Sequence, residues 1–113
     1  MEFKKNENKI WLEDESGKVI AEIDFPEVKE GVVNINHTEV NSSLQGQGVA
    51  SKLTNEAYIL LKETNRKAVL SCSYAIKWFA KHEDCQDVLY DIDEFKKQAS
   101  ELAGPACGVK KSS

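Results

Sequence analysis

No stretch of this chain is apolar over the roughly 20 residues needed to cross a bilayer, so no membrane-spanning segment or membrane partner is expected. The first residues, MEFKKNENK, lack the apolar core of a secretory signal, and the expected compartment is the cytoplasm. Cysteine is scarce. Cys72, Cys85 and Cys107 are three in number, and they lack the spacing of a metal site. Reduced thiols are the natural reading, and no metal is expected. The net charge is −4 and the two signs are mixed along the chain rather than gathered in blocks. That balance argues against a nucleic-acid partner. Repeats and low-complexity segments are also missing.

What remains is an ordinary globular composition: 113 residues, 41% hydrophobic and 30% charged, enough for one domain with a modest core. KIWLEDE and KVIAEIDF alternate apolar and polar residues around the turn ESGK, which predicts an antiparallel hairpin. VVNINHTEV supplies a third strand. In it Val33 and Ile35 share one face while Val40 has the opposite parity, so a β-bulge is expected near His37 and Thr38.

Val49, Leu53, Ala57, Leu60 and Leu61 then form the stripe of an amphipathic helix. KAVLSC reads as a short buried strand, Ser73 as the cap of a helix over YAIKWFAKH, and Asp91 to Ala103 as a last helix ended by Gly104 and Pro105. Trp11, Trp78, Phe79 and Phe95 are assigned to the core. The expected order, β-β-β-α-β-α-α, gives an α+β (mixed α/β) fold on a largely antiparallel sheet with one parallel crossover.

Between the third strand and the first helix lies the loop NSSLQGQGVASK. Glycines before a helix start leave backbone N–H groups around one concavity at the positive end of the helix dipole, the makings of a phosphate site. A P-loop would need Lys and Ser or Thr directly after its last glycine, and a Rossmann fingerprint would need glycine at Ser51. Neither is present.

QGQGVA, Gln45 to Ala50, does match the Q/R-x-x-G-x-G/A motif, and the wider pattern HTEV…LQGQGVASKL…SCSYAIKWFAKH resembles small GCN5-related N-acetyltransferases. The resemblance covers about residues 3 to 90. It implies a sheet splayed between its fourth and fifth strands, with acetyl-CoA in the splay and a reduced N-terminal region on the acceptor side. The implied division is a domain over residues 1–90, a C-terminal helix over 91–104 and a flexible tail over 105–113. By the same resemblance Gln45, Gly46, Gln47, Gly48, Val49 and Ala50 form the pyrophosphate loop. Thr38, Glu39 and Val40 lie beside the pantetheine, and Ser51 and Lys52 reach phosphate oxygens.

Two departures from the family pattern concern catalysis. Asn34 stands where many relatives have a glutamate base, and Phe79 where they have a tyrosine acid. Cys72 is the candidate replacement, a thiol at a helix N-terminus able to attack a thioester. His37 is a candidate base and Tyr74 a candidate proton donor. The expected activity is acetyl transfer from acetyl-CoA to an unidentified amine, directly or through Cys72, by a monomer or weak dimer. The alternatives are a module that binds CoA or acyl-CoA without turnover, and a structural domain whose loop holds nothing.

Overall fold

The structure, a computed structural model, describes residues 3–44 and 46–103. Its first sheet is built from β1 (Lys4–Asn6), β2 (Lys9–Glu13) and β3 (Val19–Asp24), an antiparallel meander in which Ile10 opposes Ile23 and Leu12 opposes Ala21. The inward residues of that alternation are buried, whereas Trp11 and Glu22 oppose each other on the outer face. Next come β4 (Glu27–Lys29), β5 (Val32–Ile35) and β6 (His37–Val40). A 3-10 turn, Ser42–Leu44, leads to α1 (Val49–Glu63), followed by β7 (Lys67–Leu70) and α2 (Ser73–Lys81). A second 3-10 segment, Glu83–Val88, precedes α3 (Ile92–Ala103).

The expected third strand is divided between two sheets. β5 runs parallel to β7, from Val32 opposite Lys67 to Ile35 opposite Leu70, with β4 on its other side. β6 instead joins the first sheet as its edge, antiparallel to β3, from His37 opposite Asp24 to Val40 opposite Ala21. The irregularity expected near His37 and Thr38 falls one residue earlier. Asn36 N–H donates to the Asp24 carbonyl at 3.2 Å, although Asp24 is already the partner of His37. Two residues facing one is the bulge arrangement, and it reverses strand parity so that Thr38 and Val40 point to the core side.

Helix α1 lays Val49, Leu53, Ala57 and Leu61 against both sheets. Thr54 is buried among them and turns its hydroxyl to the Ala50 carbonyl at 2.8 Å. Ala75 and Phe79 of α2 complete the centre of the core, and burying a ring of that size contributes about 2–3 kcal/mol. Phe95 brings α3 onto the same core, and Gln98 Nε2 donates to the Leu70 carbonyl at 2.9 Å, covering the edge of β7. No helix among the described residues is long and apolar enough to cross a membrane.

The Ile35 carbonyl accepts the N–H groups of Ser71 at 3.1 Å and Cys72 at 3.2 Å, the last links between β5 and the chain leaving β7. Beyond that point one chain turns into β6 of the first sheet and the other into α2. A gap therefore opens between β6 and the start of α2, with α1 beginning beside it.

Candidate functional site

Three backbone features meet at this gap. Asn41 N–H donates to Ile20 O at 2.8 Å, and Glu39 opposes Glu22 two residues earlier. Hydrogen-bonded pairs alternate along an antiparallel ladder, so the backbone groups of Thr38 and Val40 point away from β3, to the open edge of β6. On the other side, α1 starts at Gly48, whose φ of 73° lies in the left-handed region, and no side chain caps the helix. Gly46 is left-handed as well, at φ 87°. A Cβ at either glycine would meet no protein atom within 4 Å, so backbone conformation rather than crowding requires glycine here. The first-turn N–H groups of α1 carry the positive end of the helix dipole and receive no capping side chain.

Together these features enclose a cavity of about 330 Å³. Thr38 and Val40 line one wall, and Leu44, Gly46, Gly48, Val49, Ala50 and Ser51 line the loop and helix side; Tyr74 of α2 completes it. A larger and more open depression of about 1000 Å³ lies where Asn8 and Lys9 meet Asp24, Asn36 and His37, and its lining includes neither the glycine loop nor a helix start.

Most of the residues read from the sequence as cofactor contacts thus converge, but not all. Gln45 lies outside the described residues. Gln47 is exposed and its N–H donates to Leu44 O at 3.3 Å, while Lys52 is exposed and its N–H closes the first helical turn onto Gly48 O at 3.0 Å. Glu39 points to the outer face of the sheet. There His37 Nε2 lies 3.2 Å from Glu39 and 3.6 Å from Glu22, and Lys9 Nζ sits 2.8 Å from Glu22. Glu22, Asp24 and His37 bring ligand-type atoms within 4.8 Å of one another, with the Lys9 ammonium already among them.

Cys72 caps α2 from an extended conformation, its carbonyl accepting Ile76 N–H at 3.0 Å. The cysteine, not Ser73, is thus the cap. Its half-buried thiol lies 3.7 Å from the hydroxyl of Thr38, a wall of the cavity. Strand parity therefore puts Thr38 and Cys72 on one face of β6 and His37 on the other. Burial pushes the Tyr74 phenol up, while the nearby Ser51 hydroxyl pulls it down. Burial likewise raises the thiol of Cys85, with Asp87 and Asp84 adding to it, which keeps that sulfur protonated. Cys107 lies outside the described residues, as do Gly104, Pro105 and the rest of the tail.

Asn34 is engaged as an acceptor for the Ser71 hydroxyl at 3.0 Å. Phe79 is fully buried, edge-on to Trp78, and does not face the cavity. Two contributors were not read from the sequence. Leu44 is a wall residue whose signal is an apolar side chain inside an otherwise polar loop. Trp78, assigned to the core, also donates its indole N–H to Ser51 Oγ at 2.8 Å.

A family model for the GCN5-related N-acetyltransferase matches residues 9–88. The chain belongs to that family. The fold agrees with this placement. A GCN5-like protein from Staphylococcus aureus, solved in solution by NMR, is 38% identical over 78% of this chain and 86% of its own, with a TM-score of 0.66. Tetrahymena GCN5 shares the fold at 21% identity and TM-score 0.53, over 65% of this chain and 48% of its own. So does Rv2747 from Mycobacterium tuberculosis, solved in complex with CoA, at 15% identity and TM-score 0.54 over 88% of this chain and 68% of its own. No curated protein matches the sequence at a significant level. In this family member the cavity lies in the gap between β6 and the start of α2.

Proposed function

We propose that the cavity is an acyl-CoA site and that this N-acetyltransferase transfers acetyl from acetyl-CoA to an amine. The observation that carries the reading is the convergence of the free β6 edge, the left-handed glycine loop and the uncapped α1 start on one cavity. Each supplies what one part of the ligand needs. The α1 start and the loop offer N–H donors to a pyrophosphate, and the Thr38 and Val40 backbone offers strand-like pairing to the pantetheine amides. When bound, the thioester supplies an activated acyl group.

The chain's own residues divide the remaining work. Cys72 is the nucleophile: its sulfur bonds to the acetyl carbon, the carbon–sulfur bond of the thioester breaks, and CoA leaves with the cysteine's proton. An amine then displaces the cysteine, giving an amide and restoring the thiol. Tyr74 is the proton donor on the cavity wall. The amine's proton passes to the departing Cys72 sulfur; His37, on the opposite face of β6 beside Glu22 and Glu39, is not placed to take it. Direct transfer from the thioester to the amine is the variant without Cys72. A non-catalytic CoA-binding module is the second reading, favoured by Asn34 and Phe79 in place of the family's base and acid.

All three readings share the cofactor site and predict ligand-linked stability. Acetyl-CoA at about 100 times its dissociation constant stabilises the fold by roughly 2.7 kcal/mol, which raises the melting temperature by on the order of 10 °C. A melting curve unchanged by millimolar acetyl-CoA contradicts the site.

A further inference from the structure

A serine or threonine within a helix ordinarily turns its hydroxyl back to the carbonyl four residues earlier, as Thr54 does. Ser51, one turn nearer the helix start, has a different partner. An indole N–H can only donate, and that of Trp78 meets Ser51 Oγ at 2.8 Å. The serine oxygen is therefore the acceptor in this bond. Its single proton is left for an acceptor on the cavity side, where the Tyr74 phenol is its neighbour and a bound phosphate oxygen would compete for it. The donor is itself held firmly. The Trp78 side chain is almost fully buried, edge-on to Phe79 and stacked on the His82 ring at 4.0 Å, and His82 Nδ1 lies 2.7 Å from the Trp78 carbonyl.

We propose that Trp78 is a positioning residue for the cofactor, fixing the Ser51 hydroxyl as a donor into the cavity so that it recognises an anionic phosphate oxygen of the acyl-CoA. The inference rests on the acyl-CoA reading above and adds to it a residue that touches no ligand. Trp78 sets the direction of one hydrogen bond; Ser51 makes it. The indole contributes nothing to affinity once the hydroxyl is gone, and the hydroxyl loses its orientation once the indole N–H is gone.

A double-mutant cycle read by calorimetric titration with CoA tests this. Ser51→Ala and Trp78→Phe each weaken CoA binding about tenfold, the loss of one hydrogen bond to a charged group, and the double variant is weakened no further. Ser51→Thr, which keeps the hydroxyl, retains the affinity. Losses that multiply to about a hundredfold in the double variant overturn the proposal, as does a Trp78→Phe protein that binds CoA like the wild type. A wild-type protein that does not bind CoA overturns the acyl-CoA reading itself, which distinguishes the two failures.

Trp78→Phe removes part of a buried aromatic cluster, so a second readout uses the native ring. Saturating CoA shifts the Trp78 indole N–H resonance in the wild type and leaves it in place in Ser51→Ala. The Trp11 indole, bonded to Glu13 on the outer face at 2.8 Å, is the internal control. A Trp78 resonance unmoved while CoA is bound overturns the proposal.

Discussion

Replacing Gly48 by valine is expected to weaken CoA binding by at least about 100-fold, close to 3 kcal/mol, while the protein still folds. Two effects act together. At φ 73° a β-branched residue is strained by on the order of 1–3 kcal/mol, which disturbs the left-handed turn that aims the first amides of α1. The added side chain meets no protein atom near its Cβ, so it projects into the open space the phosphate is proposed to fill. Gly17 is the matched control. Its φ of 88° is equally left-handed and its surroundings equally open, but it lies in the turn between β2 and β3. Gly17→Val carries the same kind of backbone strain and leaves CoA affinity unchanged. Calorimetric titration of the two variants beside the wild type separates lost stability from lost recognition, and equal losses in both would refute the role given to the loop.

The second large effect is expected at Cys72. Incubation with acetyl-CoA leaves one acetyl group on Cys72, and Cys72→Ala removes both the adduct and acetyl transfer to an amine acceptor. The geometry that motivates this is local. Cys72 is the cap of α2, and its half-buried sulfur lies 3.7 Å from the Thr38 hydroxyl on the cavity wall. Cys85 is the internal comparison, because burial and two neighbouring aspartates hold its thiol protonated. Intact-mass and peptide mass measurements on wild type and variant decide the matter. An adduct on Cys85 instead of Cys72 contradicts the nucleophile assignment. Undiminished transfer by Cys72→Ala points to direct transfer, and CoA binding with no transfer by the wild type to a panel of amines points to the binding module.

The helix α1 stripe and the loop before it were legible in the sequence because both are local. The apolar residues recur with helical period, and the glycines precede the helix start directly. The parity change between Ile35 and Val40 was legible too, as an irregularity, but not its consequence. That β5 and β6 belong to different sheets depends on β7 and β3, which lie more than ten residues away in opposite directions along the chain. β1 and β4 escaped notice for a related reason. KKN and EVK are three-residue exposed segments whose strand character comes from their neighbours rather than from their own pattern. Within the site, the family resemblance grouped Thr38, Glu39 and Val40, but only the β3 register shows that Thr38 and Val40 face the cavity while Glu39 and His37 face the other way. Trp78 shows the limit of composition. A buried indole reads as core, and its polar partner Ser51 is 27 residues away.

The central claim is that an acyl-CoA occupies the space between the edge of β6 and the start of α1. The most direct measurement is a CoA titration of isotopically labelled protein followed by amide resonances. The account predicts saturable shifts concentrated at Thr38, Val40, Gly46 and Gly48 through Ser51, with the β1–β2 amides unmoved. Shifts absent at millimolar CoA, or clustered at the open depression around Asn8, Asn36 and His37, would contradict it.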